Sequence, residues 1–110
     1  MEYSGTPRQL ELWIGLVEVR PLDRKAYGAA GAFTNIVTWA DDLQGFRRNA
    51  ELIAATLDMF VVDIEGAEPL ARRTKNRSMT EEIDDMVARA ECNPNAIIYG
   101  TFHRYLFDEA

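Results

Sequence analysis

Gly31-Ala32-Phe33-Thr34-Asn35-Ile36-Val37-Thr38-Trp39-Ala40, running on through Asp41-Asp42-Leu43-Gln44 to Leu57, decides how this chain folds. Its first ten residues are mostly β-branched, aromatic or small, and suit a pleated, half-buried surface. Side chains alternate along a strand, so Phe33, Val37 and Trp39 point one way and Thr34, Ile36 and Thr38 the other. Apolar groups on both sides predict an interior strand. With Asp41 as N-cap, Gln44 stands at the third helical position, which is the spacing of a capping box. Leu43, Phe46, Ala50, Ile53 and Leu57 then recur every three or four residues and make one apolar stripe. Gln44, Arg47, Arg48 and Glu51 fall on the other side, so a helix is predicted here.

Before this stretch, Leu10 to Val19 alternates with apolar groups on both faces: Leu10, Leu12, Ile14 and Leu16 against Trp13, Val17 and Val19. It predicts another strand, ended by Pro21, which cannot donate to a ladder. Leu22 to Ala30 is a polar, glycine-containing connection. After the helix, Phe60 to Glu65 is a strand and Gly66 a turn. Glu68 to Arg73 predicts a further edge strand, where Pro69 is tolerated. Arg72 to Arg77 is a basic loop in an acidic chain. Ser78-Met79-Thr80-Glu81 has capping-box spacing, and Met79, Ile83, Met86, Val87 and Ala90 line one side of the helix after it. Asn93-Pro94-Asn95 stops that helix, and Ala96 to Phe107 is the last strand.

This order predicts an α+β fold: a two-layer sandwich with a ferredoxin-like βαββαβ core from Gly31 onward and an extra N-terminal strand. Both helices are expected on one sheet face. Residues 1–9 read as a flexible lead, 10–107 as one domain and 108–110 as a tail.

At 110 residues the chain suffices for one domain with a real core. The formal charge of −6 disfavours nucleic acid and anionic membranes as partners, since both require a basic surface. No apolar run approaches the ~20 residues of a membrane span. The single Cys92 excludes an internal disulfide, so a soluble, cytoplasmic protein is expected. No Cys or His stands at ligand spacing from Cys92, and no metal or cofactor is expected.

Candidate chemistry is sparse. His103, the only histidine, shares a strand face with Tyr99, Thr101 and Tyr105, and a His–Tyr pair can move protons near neutral pH. No spacing identifies a partner carboxylate for His103, and Glu18 enters as a further candidate. Glu18, Asp63 and Glu65 occupy predicted strands, where charges mark either a cleft or a defended edge. Asn35 sits mid-strand among apolar neighbours and needs a hydrogen-bond partner if buried. These groups define a catalytic or small-molecule reading: a pocket of Tyr99, His103, Tyr105, Asn35 and Glu18.

The runs Trp13-Ile14-Gly15-Leu16-Val17-Glu18-Val19-Arg20-Pro21, Gly28-Ala29-Ala30-Gly31-Ala32-Phe33-Thr34-Asn35-Ile36-Val37 and Tyr99-Gly100-Thr101-Phe102-His103-Arg104-Tyr105 resemble those of a small bacterial family of unknown function. That resemblance covers most of the chain and implies no activity. In size, charge and cysteine count the chain is also similar to the immunity proteins that neutralise bacterial toxins. The second resemblance implies a basic protein partner, such as a nuclease-type toxin.

Two partner expectations follow. The acids Glu81, Glu82, Asp84 and Asp85 of the second long helix, helped by Asp63 and Glu65, are expected to meet a basic partner, although acids in a first turn also serve the helix dipole. If one sheet face lacks helices, Trp13, Phe33, Val37, Trp39 and Phe102 are expected to form a homodimer interface.

Overall fold

In the computed structural model, which describes residues 9–74 and 79–106, strand β1 (Glu11–Pro21) turns back on β2 (Gly31–Ala40) through one helical turn, α1 (Arg24–Tyr27). Asp23 caps that turn by accepting from the amides of Lys25 and Ala26. Helix α2 (Leu43–Thr56) leads to β3 (Met59–Pro69), and the short α3 (Leu70–Thr74) follows directly. Helix α4 (Glu81–Glu91) precedes two strand fragments, β4 (Ile97–Tyr99) and β5 (His103–Tyr105). The strands form one antiparallel sheet in the order β3-β1-β2, with β4 and β5 both on the far edge of β2.

The pairing register shows which side chains share a face. Trp13, Gly15, Val17 and Val19 of β1 stand opposite Thr38, Ile36, Thr34 and Ala32 of β2. This face carries α2: Phe46, Ala50 and Ala54 pack with Val17, Val19, Ile36 and Ala40 in one cluster. The Phe46 ring lies over Gly15, where an added Cβ would come within 2.9 Å of its Cζ and 3.0 Å of the Ala67 backbone. Leu12, Ile14, Leu16 and Glu18 point the other way, with Trp39, Val37, Asn35 and Phe33. There Met86 and Ala90 of α4 cluster with Leu12, Ile14 and Val37, and Leu70 of α3 packs beside them.

The helices therefore cover opposite faces, which corrects the expectation of two helices on one face of a two-layer sandwich. The physical reason is the doubly apolar character of β1 and β2, which requires cover on both sides. The βαββαβ succession is not seen either. Glu68 and Pro69 finish β3, and Leu70 onward is helical. Arg73 secures that fold-back by pairing with Glu68 and donating to the Gly66 carbonyl at 2.8 Å. The Leu10–Val19 segment is not an added strand but lies inside the sheet, between β2 and β3.

Smaller corrections concern the caps. Asp42, not Asp41, caps α2 by accepting from the Gly45 amide at 2.8 Å, so Gln44 is not at the capping-box position. Thr80 caps α4 through the Ile83 amide; Ser78 lies outside the described residues. Leu43, expected in the apolar stripe, is 53% exposed, whereas Ala54 is buried. The last strand is interrupted at Gly100-Thr101-Phe102, and Phe107 lies outside the described residues.

Asp58 joins α2 to β3 with a left-handed φ of 60°. Its backbone is held there, donating to Ala55 O and accepting from the Leu22 amide. Aspartate tolerates this conformation, whereas a β-branched residue does not. Asp58→Val is expected to lower stability by about 1–2 kcal/mol, and Asp58→Gly to leave it within about 1 kcal/mol of the parent. Urea denaturation measures both; a Val variant as stable as the parent would contradict the strain.

Candidate functional site

The second sheet face is only partly covered. Helices α3 and α4 pack over the end that holds Leu12, Ile14, Val37 and Trp39, leaving Trp39 half-buried. Toward the other end Leu16, Glu18, Arg20, Phe33, Asn35 and Tyr105 remain half-buried. Glu18, Arg20, Phe33 and Tyr105 line an open concavity of about 420 Å³.

Strand pairing builds this site. Glu18 stands opposite Phe33 on one side and opposite Asp63 on the other, and Leu16 lies between Asn35 and Glu65. β5 places His103 opposite Phe33 and Tyr105 opposite Gly31. Tyr105 reaches over Gly31, whose missing side chain leaves room for the ring; a Cβ there would collide with the phenol. The Tyr105 hydroxyl donates to the Glu18 carboxylate, and its ring sits 5.6 Å from that of Phe33. Burial, and then the hydrogen bond to Glu18, push the Tyr105 pKa up; an Arg20 hydrogen bond opposes them. The phenol thus stays protonated at neutral pH and serves as a donor, not as a base.

Of the residues expected in a pocket, Glu18, Asn35, His103 and Tyr105 share this face. Tyr99 does not: it pairs with Ile36 on the α2 side and makes an edge-to-face contact with Phe102 at 5.3 Å. His103 is exposed. A Tyr99–His103–Glu18 constellation is therefore ruled out by the break between β4 and β5, which puts Tyr99 and His103 on opposite faces. Among the described residues no cluster of three or more His, Cys, Asp or Glu is placed to hold a metal ion.

The acids of α4 are exposed, but two have partners within the chain. The Glu82 carboxylate accepts from the Thr101 amide at 2.8 Å and from its hydroxyl at 2.6 Å. Asp85 pairs with Arg89 at 2.9 Å. Asp63 and Glu65, on β3, are exposed and form no ion pair among the described residues.

The expected homodimer residues do not form one patch. Val37 is fully buried. Trp39 is half-buried against α4, its indole N–H donating to Ala90 O at 2.9 Å and Asn93 O at 3.0 Å. Trp13 and Phe102 pack on the α2 side, and Phe33 alone lies in the open concavity. The premise of an entire uncovered face fails because α4 occupies half of it.

Sequence reading missed Arg20 and Phe60 as site residues. The alternation that placed Glu18 on one face puts Arg20 two positions further along it. The Arg20–Phe60 pairing needed the β3 register, which two extra residues in β3, at Val62 and at Gly66-Ala67, make illegible from alternation alone. No family model, curated protein or solved structure matches the chain. No helix among the described residues is long and apolar enough to cross a membrane.

The Glu82–Thr101 contact holds the break between β4 and β5, and these hydrogen bonds depress the Glu82 pKa. A depressed carboxylate contributes stability above its ordinary pKa and loses it as pH falls through the depressed value. Urea midpoints followed from about pH 7 to about pH 3 are expected to fall less in Glu82→Gln than in the parent. Identical pH profiles would remove this contact as a source of acid sensitivity.

Proposed function

We propose that this chain is a small acidic binding protein of the immunity type, which docks a basic protein partner and blocks it by covering it. The observation that carries the reading is the acid row on the open half of the sheet. Glu18 and Asp63 are directly opposed on neighbouring strands, with Glu65 next to them, and Asp63 and Glu65 are exposed. Opposed like charges destabilise a sheet, and a cationic surface laid across them relieves that cost. Aromatic groups flank the row: Phe33 and Tyr105 on one side, and Phe60, 45% exposed, on the other. An acidic rim around aromatic anchors suits a basic partner in both steering and affinity.

This assigns the partner surface to Asp63 and Glu65 ahead of the α4 acids, two of which are already engaged within the chain. A second reading rests on the concavity itself. Its volume falls in the range of small-ligand sites, and the Glu18–Tyr105 pair offers an acceptor and a donor beside an aromatic wall.

A lysine homopolymer is a suitable basic probe, titrated at low salt against two variants of equal net charge. Asp63→Lys with Glu65→Lys is expected to weaken binding by on the order of tenfold or more. Glu81→Lys with Asp84→Lys should weaken it much less. Equal losses would mean that net charge alone binds the probe and would overturn the assignment to the sheet.

A further inference from the structure

We infer that the outer edge of β3 receives an extended basic segment of the partner as an added strand. This rests on the reading of a basic partner and specifies how that partner is held.

Three observations support it. β3 ends the strand order, so among the described residues no strand pairs with its outer side. An edge of this kind presents amide and carbonyl groups that a further strand satisfies. Between the two irregularities of β3, the run Asp63-Ile64-Glu65 keeps regular pairing with β1. Within that run the faces differ in chemistry. Asp63 and Glu65 point to the open face, whereas Ile64, like Val61, packs toward α2. An added strand is bound by the same alternation. It therefore lays one set of side chains beside the two carboxylates and the other set beside Val61 and Ile64. The segment that fits alternates Lys or Arg with Val or Ile.

Charge also decides against a second copy of this chain as the occupant. Two β3 strands paired antiparallel about Ile64 would bring Asp63 of one against Glu65 of the other, with no basic group of β3 there to offset them. Like charges directly opposed are destabilising, and acids at an edge are a common guard against self-pairing. The same two residues therefore resist self-association and favour a basic strand.

The test uses the full chain and three peptides: alternating Lys-Val, a block peptide of the same composition with all Lys first, and the alternating peptide N-methylated along one edge. Calorimetry gives affinity, and amide hydrogen exchange reports on residues 62–66. The alternating peptide is expected to bind at least about tenfold more tightly than the other two and to slow exchange at residues 62–66. Asp63→Asn with Glu65→Gln should abolish that preference. Equal affinity of all three peptides, lost in this neutralised variant, would overturn strand addition while leaving the basic-partner reading standing. Failure of all three peptides to bind would overturn both.

Discussion

The structure depends on covering β2 from both sides. Val37 and Ile36 point to opposite faces of that strand and both are fully buried. Removing either face from water contributes on the order of 1.5–3 kcal/mol for each large apolar side chain. One helix cannot cover both. α2 takes one face and fixes itself there with Asn49, which donates to the Thr38 hydroxyl and to the Trp39 carbonyl, each at 3.0 Å. α4 takes the other face, and the Trp39 indole donates to carbonyls at its C-terminal end. Both carbonyls also accept backbone amides, Ala90 O from Asn93 and Asn93 O from Ala96, so the indole docks onto an already capped helix end. Thr38 completes the link by donating to Ala96 O at 2.7 Å, at the entry to β4.

Much of this was legible in the sequence. The interior character of β1 and β2, the strand from Phe60 and both long helices followed from alternation and periodicity. The helix-face assignment was not legible, although its cause was in plain sight. Two apolar faces were read as one core and one subunit interface, whereas α2 makes a core on one and α4 a second core over part of the other. Boundaries failed where one residue type serves two structures: Pro69 ends an edge strand as well as it opens a helix, and adjacent aspartates compete for one cap. The candidate site was half legible. Alternation put His103 and Tyr105 on one face. It also put Tyr99 there, because the interruption at Gly100-Thr101-Phe102 shifts the register between β4 and β5. At that break α4 comes close to the backbone: a Cβ on Gly100 would lie 3.1 Å from Met86 Sδ and 3.2 Å from the Glu82 carboxyl carbon.

The position of the site follows from the same division of labour. α4 is eleven residues long, and with α3 it spans only part of the second face. Where their cover ends, the sequence on that face changes from Leu12 and Ile14 to Glu18 and Arg20, and from Trp39 and Val37 to Asn35 and Phe33. The chain thus gains polar groups where no helix of the described residues covers that face, while the opposite side of the same strands stays apolar under α2. The open half combines acids, aromatic rings and a strand edge that no other strand pairs among the described residues. Such a surface recognises a partner by charge and by backbone pairing together.

The central claim is that one sheet face is covered along its length and the other over half of it. Paramagnetic relaxation of methyl and aromatic protons by a soluble gadolinium chelate tests this most directly, with the protein dilute enough to be monomeric. Strong relaxation is predicted for Leu16, Phe33 and Tyr105, and weak relaxation for Ile14, Val37, Ile36 and Phe46. Protection of Leu16 and Phe33 equal to that of Val37 would contradict the account, as would strong relaxation at Val37.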